Sequence, residues 1–162
     1  MREGDFERLY SEHAVPLLRF LTYRTGDGVL AEDLVAETFE RILRTRWRFD
    51  PRRGSEKTWV YTIALSRLRD HGRRRSVESR AIERSVAAAG VNSASGWEAD
   101  IADREMLERA LASLNADERE CIALRYGADL TIPEIARVLR EPPTTVHGRI
   151  YRALRKLREQ LE

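Results

Sequence analysis

The residues best suited to chemistry in this chain are arginines and aromatics, and they concentrate in two stretches. Between residues 46 and 75 stand Arg46, Arg48, Arg52, Arg53, Arg67, Arg69, Arg73, Arg74 and Arg75, interleaved with Trp47, Phe49, Trp59 and Tyr61. Guanidinium groups hold phosphate and flat rings receive bases that have left the stack, so this composition suits the capture of an opened nucleic-acid strand. Unstacking costs a few kcal/mol and an aromatic side chain returns roughly 1 to 3 kcal/mol per base, so capture needs no ATP. Trp59 is expected in the core and Tyr61 on the surface.

The second stretch covers residues 131–158. A short segment with Ile135, Ala136 and Leu139 inward, a tight connection at Arg140 to Pro142, and a longer basic helix describe a helix-turn-helix. Ala136 supplies the small residue that two crossing helices need where they approach. The second helix exposes Thr144, Thr145, His147, Arg149, Tyr151, Arg152 and Arg155, with no acid of its own before Glu159. Such a helix lies in the major groove, its first exposed side chains reaching base edges while later arginines hold phosphate.

Reactive constellations are missing. His13, His71 and His147 fall in different segments, and the sequence has no H-E-x-x-H, no Glu-x-x-His, no phosphate-cradling glycine loop and no cysteine pair. The lone Cys121 sits in a helical stretch, where a small core role is expected rather than a nucleophile. The expectation is therefore a binding protein with no catalytic residue, no metal and no cofactor.

Charge is segregated along the chain. Residues 1–40 carry 4 basic and 9 acidic side chains, net −5; residues 41–80 carry 13 and 4, net +9; residues 81–120 carry 4 and 9, net −5; residues 121–162 carry 8 and 5, net +3. This alternation suits a molecule that meets a polyanion with two segments and a protein surface with others. One cysteine makes no internal disulfide, no apolar run reaches the roughly 18 to 20 residues that span a bilayer, and the N-terminal MREGDFERLY has no apolar core of a signal peptide. A cytoplasmic location without membrane insertion is expected.

The elements that must carry these residues are all helical. Over residues 5–24, Phe6, Leu9, Tyr10, Ala14, Leu17, Leu18 and Leu21 recur at three- and four-residue steps, with Pro16 a candidate kink and Thr25-Gly26-Asp27-Gly28 a stop. A second helix turns Leu30, Leu34, Val35, Thr38, Phe39, Ile42 and Leu43 inward and Glu32, Asp33, Glu37, Glu40 and Arg41 outward. Residues 49–55 form a loop with a capping Ser55, and a third helix over residues 56–75 buries Val60, Ile63, Ala64 and Leu68. Residues 76–99, rich in Ala, Ser and Gly, predict a flexible linker that admits helical stretches. A second domain over residues 100–162 opens with Met106, Leu107, Ala110, Leu111 and Leu114 and closes with a helix burying Val146, Ile150, Ala153, Leu154, Leu157 and Leu161. Asn115 to Glu118 and Thr131 to Glu134 both predict capping boxes, with Pro133 in the first turn of the latter helix. The fold class is all-α: two small helical domains, a three-helix bundle over residues 1–75 and a helix-turn-helix unit, joined by the linker.

Taken in order, FERLYSEHAVPLLRFL, AEDLVAETFERIL and FDPRRGSEKTWVYTIALSRLRDHGRRR resemble region 2 of extracytoplasmic-function (ECF) sigma factors, the promoter-recognition subunits of bacterial RNA polymerase. LNADERECIALRYGADLTIPEIARVLREPPTTVHGRIYRALRKLR resembles their region 4. The resemblance implies that Asp33, Glu37 and Glu40, with Phe39 packed beneath, bind the clamp helices of the largest polymerase subunit, and that the second-largest subunit's flap is a further contact. It implies that Trp47, Arg48, Phe49, Arg52, Arg53, Tyr61, Ser66, Arg67, Arg69, Arg73 and Arg74 meet the minus-ten element. It implies that Thr144, Thr145, His147, Gly148, Arg149, Tyr151, Arg152 and Arg155 meet the minus-thirty-five element, with His147, Gly148, Tyr151 and Arg152 at base-contacting positions. Partners implied are core polymerase, promoter DNA and an anti-sigma factor. Several positions depart from the family pattern: His147 stands where Lys or Arg is common, Gly148 where Ser is, Arg140 where Gly is, and Ser66 where Asn is. The alternative reading is a one-component helix-turn-helix regulator that acts without polymerase.

Overall fold

The computed structural model describes residues 3–81 and 101–162, and every regular element among them is helical. The chain divides into two compact units, Met1–Ser93 and Ala94–Glu162.

The first unit holds α1 (Glu3–Thr25), α2 (Gly28–Thr45), a single 3₁₀ turn (Arg46–Arg48) and α3 (Glu56–Ala81). The α1 helix continues through the exposed Pro16 and ends where Gly26 adopts φ 67°, a left-handed conformation that glycine reaches without strain. Asp27 then caps α2, its carboxylate accepting from the backbone N–H groups of Val29 at 3.0 Å and Leu30 at 3.2 Å. As predicted, Ser55 caps α3, with its Oγ accepting from the Thr58 N–H at 3.1 Å. The core is Leu9, Leu17, Phe20 and Leu21 of α1, Ala31, Leu34, Val35, Phe39 and Ile42 of α2, and Val60, Tyr61, Ala64 and Leu65 of α3.

Two expectations for α3 are corrected. Its buried apolar positions are 60, 61, 64 and 65, so the inward stripe is rotated by about one residue; Ile63 and Leu68 lie at its edge. The helix also ends six residues later than the expected Arg75, because nothing from Arg73 to Ala81 is Gly or Pro; residues 76–81 are thus one of the helical stretches that the linker reading admits. The remaining linker positions, 82–99, lie outside the described residues.

The second unit holds α4 (Ile101–Ala112), α5 (Ala116–Ile122) running into a π turn (Ala123–Gly127), α6 (Ile132–Leu139) and α7 (Pro143–Leu161). Both predicted capping boxes form. The Asn115 side chain accepts from Glu118 N–H at 2.8 Å while Glu118 accepts from Asn115 N–H at 3.1 Å, and Thr131 and Glu134 repeat the arrangement. Leu114, Cys121, Leu124, Leu130, Ile135, Ala136, Val138, Val146, Ile150 and Ala153 make the core. Leu154 and Leu161, and Met106 and Leu107 of α4, are exposed rather than buried, as is Leu43 of α2 in the first unit. The apolar stripes at these helices are wider than the surfaces packed against them.

Candidate nucleic-acid and protein-docking surfaces

On α2 the outward carboxylates of Asp33, Glu37 and Glu40 are all exposed, with Glu40 ion-paired to Arg44 at 2.6 Å one turn on. Phe39 is buried beneath this face, its ring meeting Tyr10 edge-on at 4.8 Å and Phe6 at 6.3 Å. Tyr10 is half exposed, so an aromatic edge borders the acidic face. Its place in the apolar stripe of α1 concealed that.

The first turn of α3 is tied to α1 by Arg8, whose guanidinium donates to both oxygens of Glu56 at 2.8 and 3.0 Å. The loop before it carries the aromatic and basic side chains. Trp47 is 72% exposed with the Arg48 guanidinium 4.7 Å above its ring. Phe49 rests on Trp59 at 5.3 Å, both half-buried, so Trp59 is a support beneath the loop. Asp50 accepts from the Arg52 N–H at 2.9 Å, a local turn that leaves Arg52 and Arg53 exposed. Along α3, Ser66, Arg69, Arg73 and Arg74 are exposed, and Arg67 is half-buried.

Tyr61 does not join them. It is 1% exposed and packed edge-on against Phe20 at 5.2 Å, its hydroxyl has no hydrogen-bond partner among the described residues, and burial pushes its pKa up to about 12. The rotated phase of α3 brings it into the core, where no base can stack on it, and the expectation of an exposed ring is corrected.

In the second unit, α6 ends in a Schellman arrangement. Arg140 adopts φ 56° and the Glu141 N–H donates to the Ala136 carbonyl at 3.0 Å. The chain thereby turns sharply into α7, where Pro142 and Pro143 open the helix. Thr144, His147, Tyr151, Arg152 and Arg155 are exposed, Thr145 and Gly148 half-buried, and Arg155 pairs with Glu159 at 3.7 Å.

Arg149 is a second correction. Its side chain is only 17% exposed, and its Nη2 lies 3.3 Å from Asp117 and 3.2 Å from Glu141. The acids that neutralise it come from α5 and from the turn, so the helix's own sequence did not reveal them. Arg149 binds the start of α7 to its surroundings instead of reaching outward. Beside it, Cys121 is fully buried, and burial pushes its thiol up, opposite to the shift that activates a nucleophile.

Glu118 was legible only as a cap. It is 2% exposed, and its Oε2 also receives the Lys156 ammonium at 2.8 Å, while Arg152 Nε stands 3.9 Å from Oε1. Burial alone would push this carboxyl up; Lys156, the Asn115 N–H and Arg152 together hold it below the ordinary range. No helix among the described residues is long and apolar enough to cross a membrane.

Comparison with known proteins covers both units. Residues 9–77 match the family model for Sigma-70 region 2 and residues 104–157 that for Sigma-70, region 4. The sequence is 34% identical to RNA polymerase sigma factor CarQ of Myxococcus xanthus over 161 residues, 98% of this chain and 90% of CarQ. It is 32% identical to ECF RNA polymerase sigma factor SigL of Mycobacterium tuberculosis, covering 95% of this chain and 87% of SigL. With ECF RNA polymerase sigma factor BldN of Streptomyces coelicolor it shares 30% identity over 96% of this chain but only 60% of BldN. Among solved structures, the sigma factor RpoE in complex with the anti-sigma factor NepR from Bartonella quintana has a TM-score of 0.79 at 24% identity, covering 98% of this chain and 97% of that one. CnrH in complex with the cytosolic domain of CnrY has a TM-score of 0.70 at 26% identity, covering 99% and 89%.

Proposed function

The chain belongs to the ECF RNA polymerase sigma factors, and from that premise we propose how its two units share the work of promoter recognition. As a sigma factor it binds RNA polymerase and directs it to promoters. The first unit docks on polymerase through Asp33, Glu37 and Glu40 on α2, with Phe39 holding the face from below. An acidic helix face keeps protein docking and DNA binding from competing for one surface, since the same unit's loop and α3 are basic.

Trp47, Phe49 and the exposed arginines of the loop and α3 then receive the minus-ten element. The exposure of Trp47, its ring face braced by Arg48, is the observation that carries base capture, because a melted base needs a flat surface beside phosphate-binding groups. In the second unit, α7 enters the major groove of the minus-thirty-five element, led by Thr144, His147, Tyr151 and Arg152. The protein performs no catalysis itself, acts in the cytoplasm, and contacts the clamp helices of the largest subunit and the flap of the second-largest. RpoE was solved with an anti-sigma factor, which supports one as a partner here.

The test mixes the purified chain with bacterial core polymerase and genomic DNA. A stable complex that yields start-site-specific transcripts is expected. Tight binding of a palindromic operator by a dimer, with no polymerase association, would overturn the assignment in favour of a one-component regulator.

A further inference from the structure

Between Asp50 and Asp70 the chain has one acid, Glu56, set among Arg52, Arg53, Lys57, Arg67 and Arg69. It stands at the first position of α3, directly after the loop proposed to receive the minus-ten element. An anion there suits the helix, whose first N–H groups carry partial positive charge, but it opposes the phosphates that the neighbouring arginines would hold. The opposite charge comes from another element. Arg8 of α1 directs Nη2 to both oxygens of Glu56, at 2.8 and 3.0 Å, while its Nη1 donates to Glu12 at 3.3 Å. Forty-eight positions separate Arg8 from Glu56, so no spacing within α3 reveals the pair. The Arg8 side chain is 45% exposed and that of Glu56 28%. A pair so open to solvent adds little to folding stability, yet it cancels charge whether or not its geometry is rigid.

We infer that Arg8 serves promoter capture without touching DNA: it acts through Glu56, neutralising the one acid of the run from 51 to 69 so that this run meets the minus-ten strand as an uninterrupted cationic surface. The inference rests on the reading in which the loop and α3 receive that element. Three residues of chain span at most about 10 Å, so a bare carboxylate at position 56 would lie within roughly one Debye length of the Arg53 backbone. It would repel the same phosphates that the arginines attract and offset one of their charges. Glu56 can therefore stay at the start of α3, where the helix favours an acid, only because α1 brings a cation to it.

The experiment uses the full chain bound to core polymerase and measures its affinity, at low and at high salt, for a promoter fragment already unpaired across the minus-ten element. The parent is compared with Arg8→Ala, Glu56→Gln, the two combined, and a variant carrying Arg52→Ala with Arg53→Ala; core affinity and melting temperature are followed for each. Arg8→Ala is expected to weaken binding about threefold to tenfold at low salt, with the loss shrinking as salt rises. Glu56→Gln should bind at least as tightly as the parent. The combined variant has the parent's net charge and should return to within about twofold of it. That restoration is the signature, because a structural tether or a direct phosphate contact made by Arg8 stays lost when its partner is also removed. An Arg8→Ala protein that binds like the parent, a defect that the combined variant keeps, or one matched by lost core affinity overturns charge cancellation while leaving minus-ten capture intact. If the variant lacking Arg52 and Arg53 binds like the parent, the reading of the loop as receiver of the minus-ten element falls, and this inference falls with it.

Discussion

Tyr61 and Arg149 show how one side chain's surroundings decide its work. The Tyr61 hydroxyl is buried without a partner among the described residues, so it gives up hydration and receives no hydrogen bond from them in exchange. Tyr61→Phe is expected to leave thermal stability unchanged or raise it by up to about 1 kcal/mol. Promoter opening, followed by permanganate reactivity of unpaired thymines, should persist; its loss would return Tyr61 to the DNA-contacting set. Arg149, with two carboxylates beside it and little exposure, is expected to act through the fold. Arg149→Ala should lower the melting temperature, costing about 1 to 3 kcal/mol. Because no phosphate contact would be lost, the salt dependence of promoter binding should keep its slope, whereas loss of a phosphate contact would reduce it by about one unit.

At the scale of elements, the α6-to-α7 turn and the α5-to-α7 bridge are the determinants of the helix-turn-helix geometry. Arg140 holds a left-handed conformation that costs a residue with a Cβ about 1 kcal/mol, which accounts for glycine being the family's usual residue there. Arg140→Gly is expected to stabilise the second unit by about that amount, measured by denaturant unfolding. The Glu118 bridge carries a pH dependence. Its carboxyl titrates lower in the folded chain than in the unfolded chain, so its stabilisation is present above the ordinary glutamate value and is lost as pH falls through the depressed folded value. The melting temperature should therefore drop on acidification below about pH 4.3, and the drop should be shallower in Glu118→Gln. Equal slopes in the two proteins would show that Glu118 does not contribute.

For the whole molecule, the test is whether polymerase docking and folding separate. Asp33 and Glu37 are exposed and their helix is held by its opposite face. Reversing both to Lys is expected to abolish co-elution with core polymerase while leaving the far-ultraviolet circular dichroism unchanged. Retained core affinity would show that docking uses another face. The segregation of charge, net −5 then +9 across the first 80 residues, sets the sign of these surfaces.

The sequence alone determined what is local. Helix existence follows from apolar recurrence at three and four residues, and both capping boxes follow from a polar cap with Glu three positions on, because these interactions close within one turn. The order of two family segments was likewise visible in the chain. Tertiary structure decided which faces are covered and who partners whom. Tyr61 is inside because α3 turns that position toward Phe20 of α1. Arg149 is neutralised by acids on other elements, and Glu118 meets a lysine 38 positions away. Spacing along one helix reports a stripe, but only the packing of neighbouring helices sets its width and phase and the charges that face it.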